Sequence, residues 1–449
     1  MKLSNDDPHA LKATAGLVLA GLLLFGASFN DPFHFDDVLI TNDANVTNPA
    51  QWAHFLNPLH LRQATFFSFY LNYLVSGVNP MGYHIVNVAL HIANAILVFF
   101  LFGRFVNRGT AILAAFIFLV HPIQTEPVLY VYQRSTLLAC FFSLLALIAL
   151  AERRHWLAAV LFLFAFEGKE SAVAIPLTVA ALYERRVRVA SLANPETLTR
   201  PSPGGREWFS RDSRFHYRMG FLIGAIVLAI ATLGLLMYWN EQTVGVGAAG
   251  QITPLRYFLA ETRVAYTYLR LLFFPYPQSL EYEFPNPAGI LPLFGLLAII
   301  AGGWWLSRQE RWRLSGLCIV AFFILLAPTS SIVPSADVAF EHRLYLPMLA
   351  FSLLAADVLS RIPGRTWIGI VVLCALGAVT INRGSVWASD IALWEDTVKH
   401  APGKARVWFN LGGAYLQTNP EKARNALRHA LELNPDFTEA LYDLGLIEQ

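Results

Sequence analysis

The chain has 449 residues, of which 55% are hydrophobic, 13% aromatic and only 14% charged. So few charges cannot solvate a soluble surface of this size, and apolar runs approaching the ~20 residues that span the hydrocarbon recur along the chain, so the sequence reads as an all-α, polytopic membrane protein. A formal charge of +2 excludes a strongly basic nucleic-acid-binding surface, and apolar runs that are continuous, not alternating, exclude a closed barrel.

The first run, Leu11 to Phe29, follows Lys2 and Lys12. It is long for a signal-peptide core and shows no clear cleavage site, so it is expected to be a retained anchor. A few residues on, Phe33-His34-Phe35-Asp36-Asp37 sets two adjacent carboxylates beside a membrane boundary, where solvation is costly; an acidic cap or a reactive pair would both account for them. Further spans are expected at Tyr83–Phe102, Ala111–Val120, Leu137–Ala151, Trp156–Phe166, Ser171–Tyr183, Met219–Trp239, Ala288–Leu306, Leu314–Ala327, Leu344–Ser360 and Thr366–Ile381, about eleven crossings in all. Cys140, Cys318 and Cys374 each fall inside such a run and read as small buried hydrophobes, with no disulfide or metal framework.

Arg104, Arg108, Arg153, Arg154, the arginine-rich loop Glu184–Arg218, Arg308, Arg311, Arg313, Arg361 and Arg365 collect on one side, which the bias of positive charge assigns to the cytoplasm. Acidic residues, among them Asp36, Asp37, Glu126, Glu281, Asp337 and Glu341, then lie outside. This count requires Leu255–Phe274, with Glu261, Arg263 and Arg270 in its interior, to stay out of the membrane centre, where each charge costs about 2.5 to 3.5 kcal/mol on an insertion scale. Aromatic-rich Phe66–Val75 is treated the same way, and both are expected to be interfacial or re-entrant on the external face. The turn-rich stretch Pro201-Ser202-Pro203-Gly204-Gly205 reads as a disordered connector.

Beyond Ile381 the chain turns amphipathic. Trp408, Leu411, Gly412 and Tyr415, then Ala423, Leu427, Ala430 and Pro435, fit the helix-turn-helix spacing of a tetratricopeptide repeat, with Trp394 and Pro402 from a degenerate leading repeat and Leu441, Leu444 and Gly445 opening the next. The expected division is a membrane domain over residues 1–382 and a repeat domain over 383–449.

Polar residues recur at span edges. His84, Asn87 and His91 share one helix face and suit interhelical hydrogen bonds or, more weakly, a metal. His121-Pro122-Ile123-Gln124-Thr125-Glu126 precedes Arg134, which could grip a phosphate or reach toward headgroups. Glu167-Gly168-Lys169-Glu170 places a lysine in a tight turn, as a point charge for phosphate or a neutraliser of its own flanking glutamates. Phe340-Glu341-His342-Arg343-Leu344-Tyr345 is the densest polar group; Arg343 and His342 could neutralise a leaving phosphate, with Glu341 orienting Arg343.

Taken in order, Phe35-Asp36-Asp37, Arg62 with Leu71-Asn72-Tyr73, His84 with Asn87 and His91, His121-Pro122-Ile123 with Thr125-Glu126 and Arg134, Lys169-Glu170, and Glu341 with Arg343-Leu344-Tyr345-Leu346-Pro347 resemble the transmembrane and tetratricopeptide-repeat O-mannosyltransferases over nearly the whole chain. His342 and the short repeat array depart from that family's pattern. The resemblance implies a bacterial relative of the GT-C class, working in the inner membrane with its active site and C-terminus in the periplasm. It implies inverting transfer from a polyprenyl-phosphate sugar to a hydroxyl, with an exported protein reached through the repeats as the expected acceptor, and membrane lipid but no nucleic acid as a partner. Asp36 or Asp37 would be the base, and Arg343, His342, Arg134 and Lys169 would hold the departing phosphate. Glu341, His121, Glu126, His84, His91, Arg62 and Tyr345 would support them. No cofactor is required by the sequence, although Asp36 and Asp37 could share a divalent metal. A lipid or oligosaccharide transporter, a transferase acting on lipid or polysaccharide, and a membrane-anchored scaffold are the rival readings; internal repeats among the spans would favour transport, and none is found.

Overall fold

A computed structural model describes residues 8–56, 62–179, 254–284, 290–330 and 337–448, with Gly224 and Ala231 as isolated helical positions. The regular structure among the described residues is all helical, with no strand. Among the described residues four helices are long and apolar enough to cross a membrane: Pro8–Asn30, Pro80–Phe102, Val131–Ala151 and Arg365–Val386. A fifth forms if Arg108–Val120 and Pro122–Leu129, bent by 52°, are one broken span, and shorter apolar helices run over His155–Gly168, Glu170–Val179, Leu291–Leu306, Arg313–Leu326 and Pro347–Leu359. The chain is a multi-pass membrane protein. The expected span Met219–Trp239, apart from Gly224 and Ala231, the Glu184–Arg218 loop with Pro201–Gly205, and the end of Ser171–Tyr183 lie outside the described residues.

In chain order the helices are α1 (Pro8–Phe25), α2 (Asp37–Asn42), α3 (Ala44–Thr47), α4 (Gln63–Ser76), α5 (Pro80–Phe102), α6 (Arg108–Val120), α7 (Thr125–Leu129), α8 (Arg134–Ala151) and α9 (His155–Gly168). They continue with α10 (Pro254–Phe273), α11 (Leu291–Leu306), α12 (Arg313–Leu326), α13 (Pro347–Leu359), α14 (Arg365–Val386), α15 (Asp390–His400), α16 (Ala405–Tyr415), α17 (Pro420–Leu433) and α18 (Thr438–Ile447). Local chemistry sets several starts. The Asn79 side chain accepts from Met81 N with Pro80 in the first turn of α5, Asn107 accepts from Thr110 N at α6, and Asn419 accepts from Lys422 N ahead of Pro420 at α17, each cap filling a helix donor that has no partner within its own helix.

The core of the bundle is α5, α6, α8 and α13, on which α1 and α14 pack from outside. Helices α8 and α9 close against each other at Gly168, where a Cβ would stand 2.9 Å from the Ala139 amide nitrogen, so no larger residue fits. The outer faces are apolar, with Leu19, Leu23, Trp367 and Val371 all exposed, as lipid contact requires. Cys140 and Cys318 are buried, but Cys374 is exposed on α14; its run packs few residues inward, so the expected burial against protein does not hold there.

Neither α4 nor α10 is among the helices fit to cross. In α10 the interior charge Glu261 is 3% exposed and turned toward Arg343. Helix α13 begins at Pro347, because Glu341–Leu344 forms a separate 3-10 turn. Helix α14 runs unbroken to Val386, past the expected domain boundary at 382. The C-terminal helices pack in sequence, α15 on α16, α16 on α17 and α17 on α18. At Gly412 a Cβ would come within 2.8 Å of Leu427 Cγ, which is why a glycine stands where α16 meets α17.

Candidate active site

The two aspartates at the start of α2 have different jobs. Asp37 is fully buried, and its Oδ2 accepts from His34 N at 3.1 Å and Val131 N at 3.3 Å while Oδ1 accepts from Tyr132 N at 2.6 Å. Both oxygens are committed to backbone donors, so Asp37 ties the start of α2 to the Val131–Tyr132 turn. Asp36 is only half-buried, with Oδ2 accepting from the Tyr130 hydroxyl at 2.7 Å. Burial raises its pKa above the usual carboxylate range, opposed by the Tyr130 bond and the charge of Arg406. Both Asp37 oxygens already accept from backbone donors, and among the described residues no group of three His, Cys, Asp or Glu side chains is placed to hold a metal ion.

The chain before Asp36 is held from the C-terminal side. Phe35 adopts a left-handed backbone, φ 49°, costly for a bulky residue. Its ring packs against Trp394 with centroids 5.6 Å apart, and the Arg406 guanidinium lies 5.6 Å from its centre. The buried His34 ring bonds Asp390 Oδ1 at 2.7 Å and Trp387 O at 2.6 Å. Burial works against its protonation, but the Asp390 bond and the Asp390 and Asp37 charges prevail and raise its pKa.

A second cluster forms a narrow crevice lined by Thr136, Lys169, Ser171, Thr329, His342 and Arg343. Lys169 Nζ donates to Gln133 Oε1 at 3.0 Å and Thr136 Oγ1 at 2.7 Å. It neutralises neither flanking glutamate: Glu170 receives Arg62 in two bonds, 3.0 and 2.5 Å. Burial, reinforced by Arg62, lowers Lys169 to about 7. His342 Nδ1 lies 2.6 Å from Glu126 Oε1, and the Glu341 amide donates to Glu126 Oε2 at 3.0 Å. Burial and the charges of Lys169, Arg343 and Arg62 push His342 well below the usual range, so the ring is neutral and Nε2 is the nitrogen it can offer a ligand.

Arg343 NH1 donates to Glu261 at 3.1 Å and to Val338 O at 2.8 Å, and NH2 to Asp337 O at 2.6 Å. Its carboxylate partner is therefore Glu261, not Glu341 as expected. Glu341 instead accepts from Gln278 Nε2 at 2.6 Å, Ser279 N at 2.9 Å and the Tyr282 hydroxyl. Two residues apart in a 3-10 turn, with about three residues per turn, Glu341 and Arg343 point to different faces.

The remaining expected residues lie in the bundle interior. Arg134, wholly buried, donates from Nε to Asn87 Oδ1 at 2.8 Å, from NH1 to Ser68 O at 3.3 Å, and from NH2 to Asn72 Oδ1 at 2.8 Å and Tyr83 O at 3.1 Å. Its donors are spent on fastening α4 to α5 and α8, so it neither grips a ligand in the crevice nor reaches toward headgroups. His91 joins the Tyr345 hydroxyl at 2.8 Å to Leu119 O at 3.1 Å, and His121 Nε2 bonds Leu272 O at 3.0 Å. His84 lies buried beside the Asp31 and Pro32 backbone, with neither ring nitrogen in hydrogen-bonding geometry among the described residues.

Sequence reasoning missed Tyr130, Gln133, Glu261, Gln278, Tyr282 and Arg406. Glu261 carried a signal, a carboxylate in the middle of an amphipathic helix. Gln133 stood beside the expected Arg134 and Arg406 in the repeat segment without being assigned to the site, and only the fold brings these residues, with Tyr130, Gln278 and Tyr282, to it.

Over 430 residues, 86% of the chain, the sequence is 26% identical to the protein O-mannosyl-transferase TMTC3 of Mus musculus, covering 45% of that protein. It is 25% identical over 408 residues to the protein O-mannosyl-transferase F38B6.6 of Caenorhabditis elegans, covering 54% of it. A shorter stretch of 154 residues is 34% identical to the protein O-mannosyl-transferase TMTC1 of Mus musculus. The chain spans about half the length of these first two relatives. No family model matches it, and no solved structure does.

Proposed function

We propose that this chain, a relative of the transmembrane and tetratricopeptide-repeat O-mannosyltransferases, is an inverting glycosyltransferase that moves a sugar from a polyprenyl-phosphate donor to a serine or threonine hydroxyl of an exported protein. One observation carries the reading. The Tyr130–Arg134 turn borders both a crevice lined by Lys169, His342 and Arg343 and the accessible carboxylate of Asp36. Cations for a leaving phosphate and a base for an incoming hydroxyl are the two requirements of such a transfer.

In this mechanism Asp36 takes the proton from the acceptor hydroxyl as its oxygen bonds to the anomeric carbon. The bond from that carbon to the phosphate oxygen breaks on the opposite face, and the lipid phosphate leaves with the electron pair. Arg343 and Lys169 hold the charge that develops on it; the neutral His342 ring, its Nδ1 bound to Glu126, presents an unprotonated Nε2 that can accept from a sugar hydroxyl but carries none of the phosphate charge. Glu126 orients His342, Glu261 orients Arg343, and the Arg62–Glu170 pair keeps Glu170 from neutralising Lys169. Asp37, Arg134, His84, His91, His121 and Tyr345 act on the scaffold.

The wider arrangement we propose has about eleven crossings of GT-C type in a bacterial inner membrane. The active site and the C-terminal helices, read as tetratricopeptide repeats that receive the acceptor, then face the periplasm. A periplasm-active reporter fused after Gln449 should be active and one near Pro203 silent. Purified protein given a β-linked polyprenyl-phosphate mannose and a Ser/Thr peptide should yield an α-linked product. A β-linked product, or donor left unconsumed, refutes the reading.

A further inference from the structure

The acceptor side of the proposed site contains a charge from an unexpected part of the chain. Arg406, in the first turn of α16, lies over the Phe35 ring. Its Nε donates to Glu281 at 2.7 Å and its NH2 to Asp337. Glu281 is 1% exposed and also accepts from Lys404 at 3.0 Å, while the Gly403 amide donates to Glu283 at 3.0 Å. The loop between α15 and α16 is therefore clamped onto the segment after α10 and the segment before the Glu341 turn. A surface ion pair is worth little, but here one guanidinium serves two carboxylates, one of them buried, and covers an aromatic ring whose backbone is strained.

We propose that Arg406 is a positioning residue of the site, which holds the Phe35–Asp36 turn in place and sets the charge around Asp36 by neutralising Asp337. The proposal rests on the reading of Asp36 as the base for its role in catalysis, but not for the effect on Asp36 itself. The groups facing Asp36 are Tyr130, Tyr132, Arg406 and Asp337. Of these, Tyr130 bonds to it, Arg406 favours its ionised form and Asp337 disfavours it. Losing Arg406 would remove the favourable charge and at the same time release the unfavourable one, so both changes act in the same direction. Phe35 would also lose the cation that covers it.

The protonation of Asp36 can be read without any substrate. Dicyclohexylcarbodiimide modifies protonated carboxyl groups, and mass spectrometry of the Asp36 peptide gives the extent of labelling at each pH in the intact detergent-solubilised chain. In Arg406→Gln the midpoint of Asp36 labelling should rise by about 0.5 to 1 pH unit relative to the native chain. Arg406→Lys should restore most of the shift, and Asp337→Asn should move the midpoint the other way. Arg406→Gln and Asp337→Asn midpoints both equal to the native one overturn the proposal. If Arg406→Gln does not fold, Asp337→Asn decides alone, a lowered midpoint supporting the proposal and an unchanged one overturning it. Activity separates the two readings: an Asp36→Asn chain that still transfers sugar normally removes Asp36 as the base, while leaving the labelling result on Arg406 intact.

Discussion

Beneath α4, the guanidinium of Arg134 is enclosed by two asparagine oxygens and two carbonyls, with the Phe69 ring 4.5 Å away. Across the bundle, Arg343 is about as deeply buried, yet it is paired with Glu261 and lines the crevice with Lys169 and His342. Both arginines sit beside a membrane helix in a motif that suggests phosphate binding. What separates them is where their donors go. Around Arg134 the neighbours are neutral and every direction ends on protein, so the residue fastens helices. Around Arg343 a carboxylate balances the charge, and the group lines a narrow crevice together with Lys169 and His342.

That contrast can be broken by mutation. Arg134→Met leaves Asn72, Asn87 and two carbonyls without donors and should destabilise the detergent-solubilised protein by about 3 kcal/mol or more, with a large fall in Tm. Arg343→Met alone strands a buried Glu261 and should also destabilise, by about 3 to 5 kcal/mol. Adding Glu261→Gln should recover most of that stability while donor hydrolysis stays low. If activity returns along with stability, Arg343 is scaffold like Arg134.

The aspartates sharpen the comparison on a smaller scale. Asp36→Asn should fold normally and lower transfer at least about 100-fold, whereas Asp37→Asn should lower thermal stability by about 1 to 3 kcal/mol, because an amide group now meets backbone N–H donors. Equal Tm losses in both, or normal turnover in Asp36→Asn, would erase the distinction.

The smallest effect is expected at Lys169. Its pKa is depressed to about 7, so in the empty site its charge is present below pH 7 and is lost as the pH rises above it. Donor KM should therefore climb between pH 6 and pH 9. Lys169→Met should raise KM about tenfold at pH 6 and much less at pH 9, which initial-rate measurements at the two pH values will show; an equal change at both places the lysine charge outside donor binding.

Much of this was legible in the sequence. Apolar run length gave the positions of the apolar helices, of which four, or five with the broken pair, are long enough to cross among the described residues, and the spacing of Trp408, Gly412, Tyr415 and Ala423 gave the α16–α17 pairing. The exclusion of Leu255–Phe274 as a span followed from the cost of burying Glu261, although not that its partner would be Arg343. Side-chain partners were the hard part. Motif order says which residues are polar at a boundary, but Glu341 and Arg343 part company because of a 3-10 turn, and Lys169 ignores its neighbouring glutamates because Arg62 holds one of them from 108 positions away. Adjacent Asp36 and Asp37 differ only through the distant turn Tyr130–Tyr132 that folds over them. The boundary at 382 was drawn where composition changes, and composition does not record that a helix continues through it.

That continuity of α14 has a geometric consequence. At about 1.5 Å per residue, its 22 residues make a rod of roughly 33 Å, held near one end where Thr380 bonds Val120 O at 2.6 Å and Arg383 meets Asp396 at 2.6 Å. The chain breaks at Trp387–Ser389 before α15, and the Arg383–Asp396 pair bridges that break, so the C-terminal helices are tied to the end of the rod. A polypeptide lying along them would arrive with its hydroxyls indexed by distance, at roughly 3.3 Å per extended residue. On the proposed function, spacing along the acceptor, and not only the identity of its side chains, would then decide which hydroxyl is glycosylated.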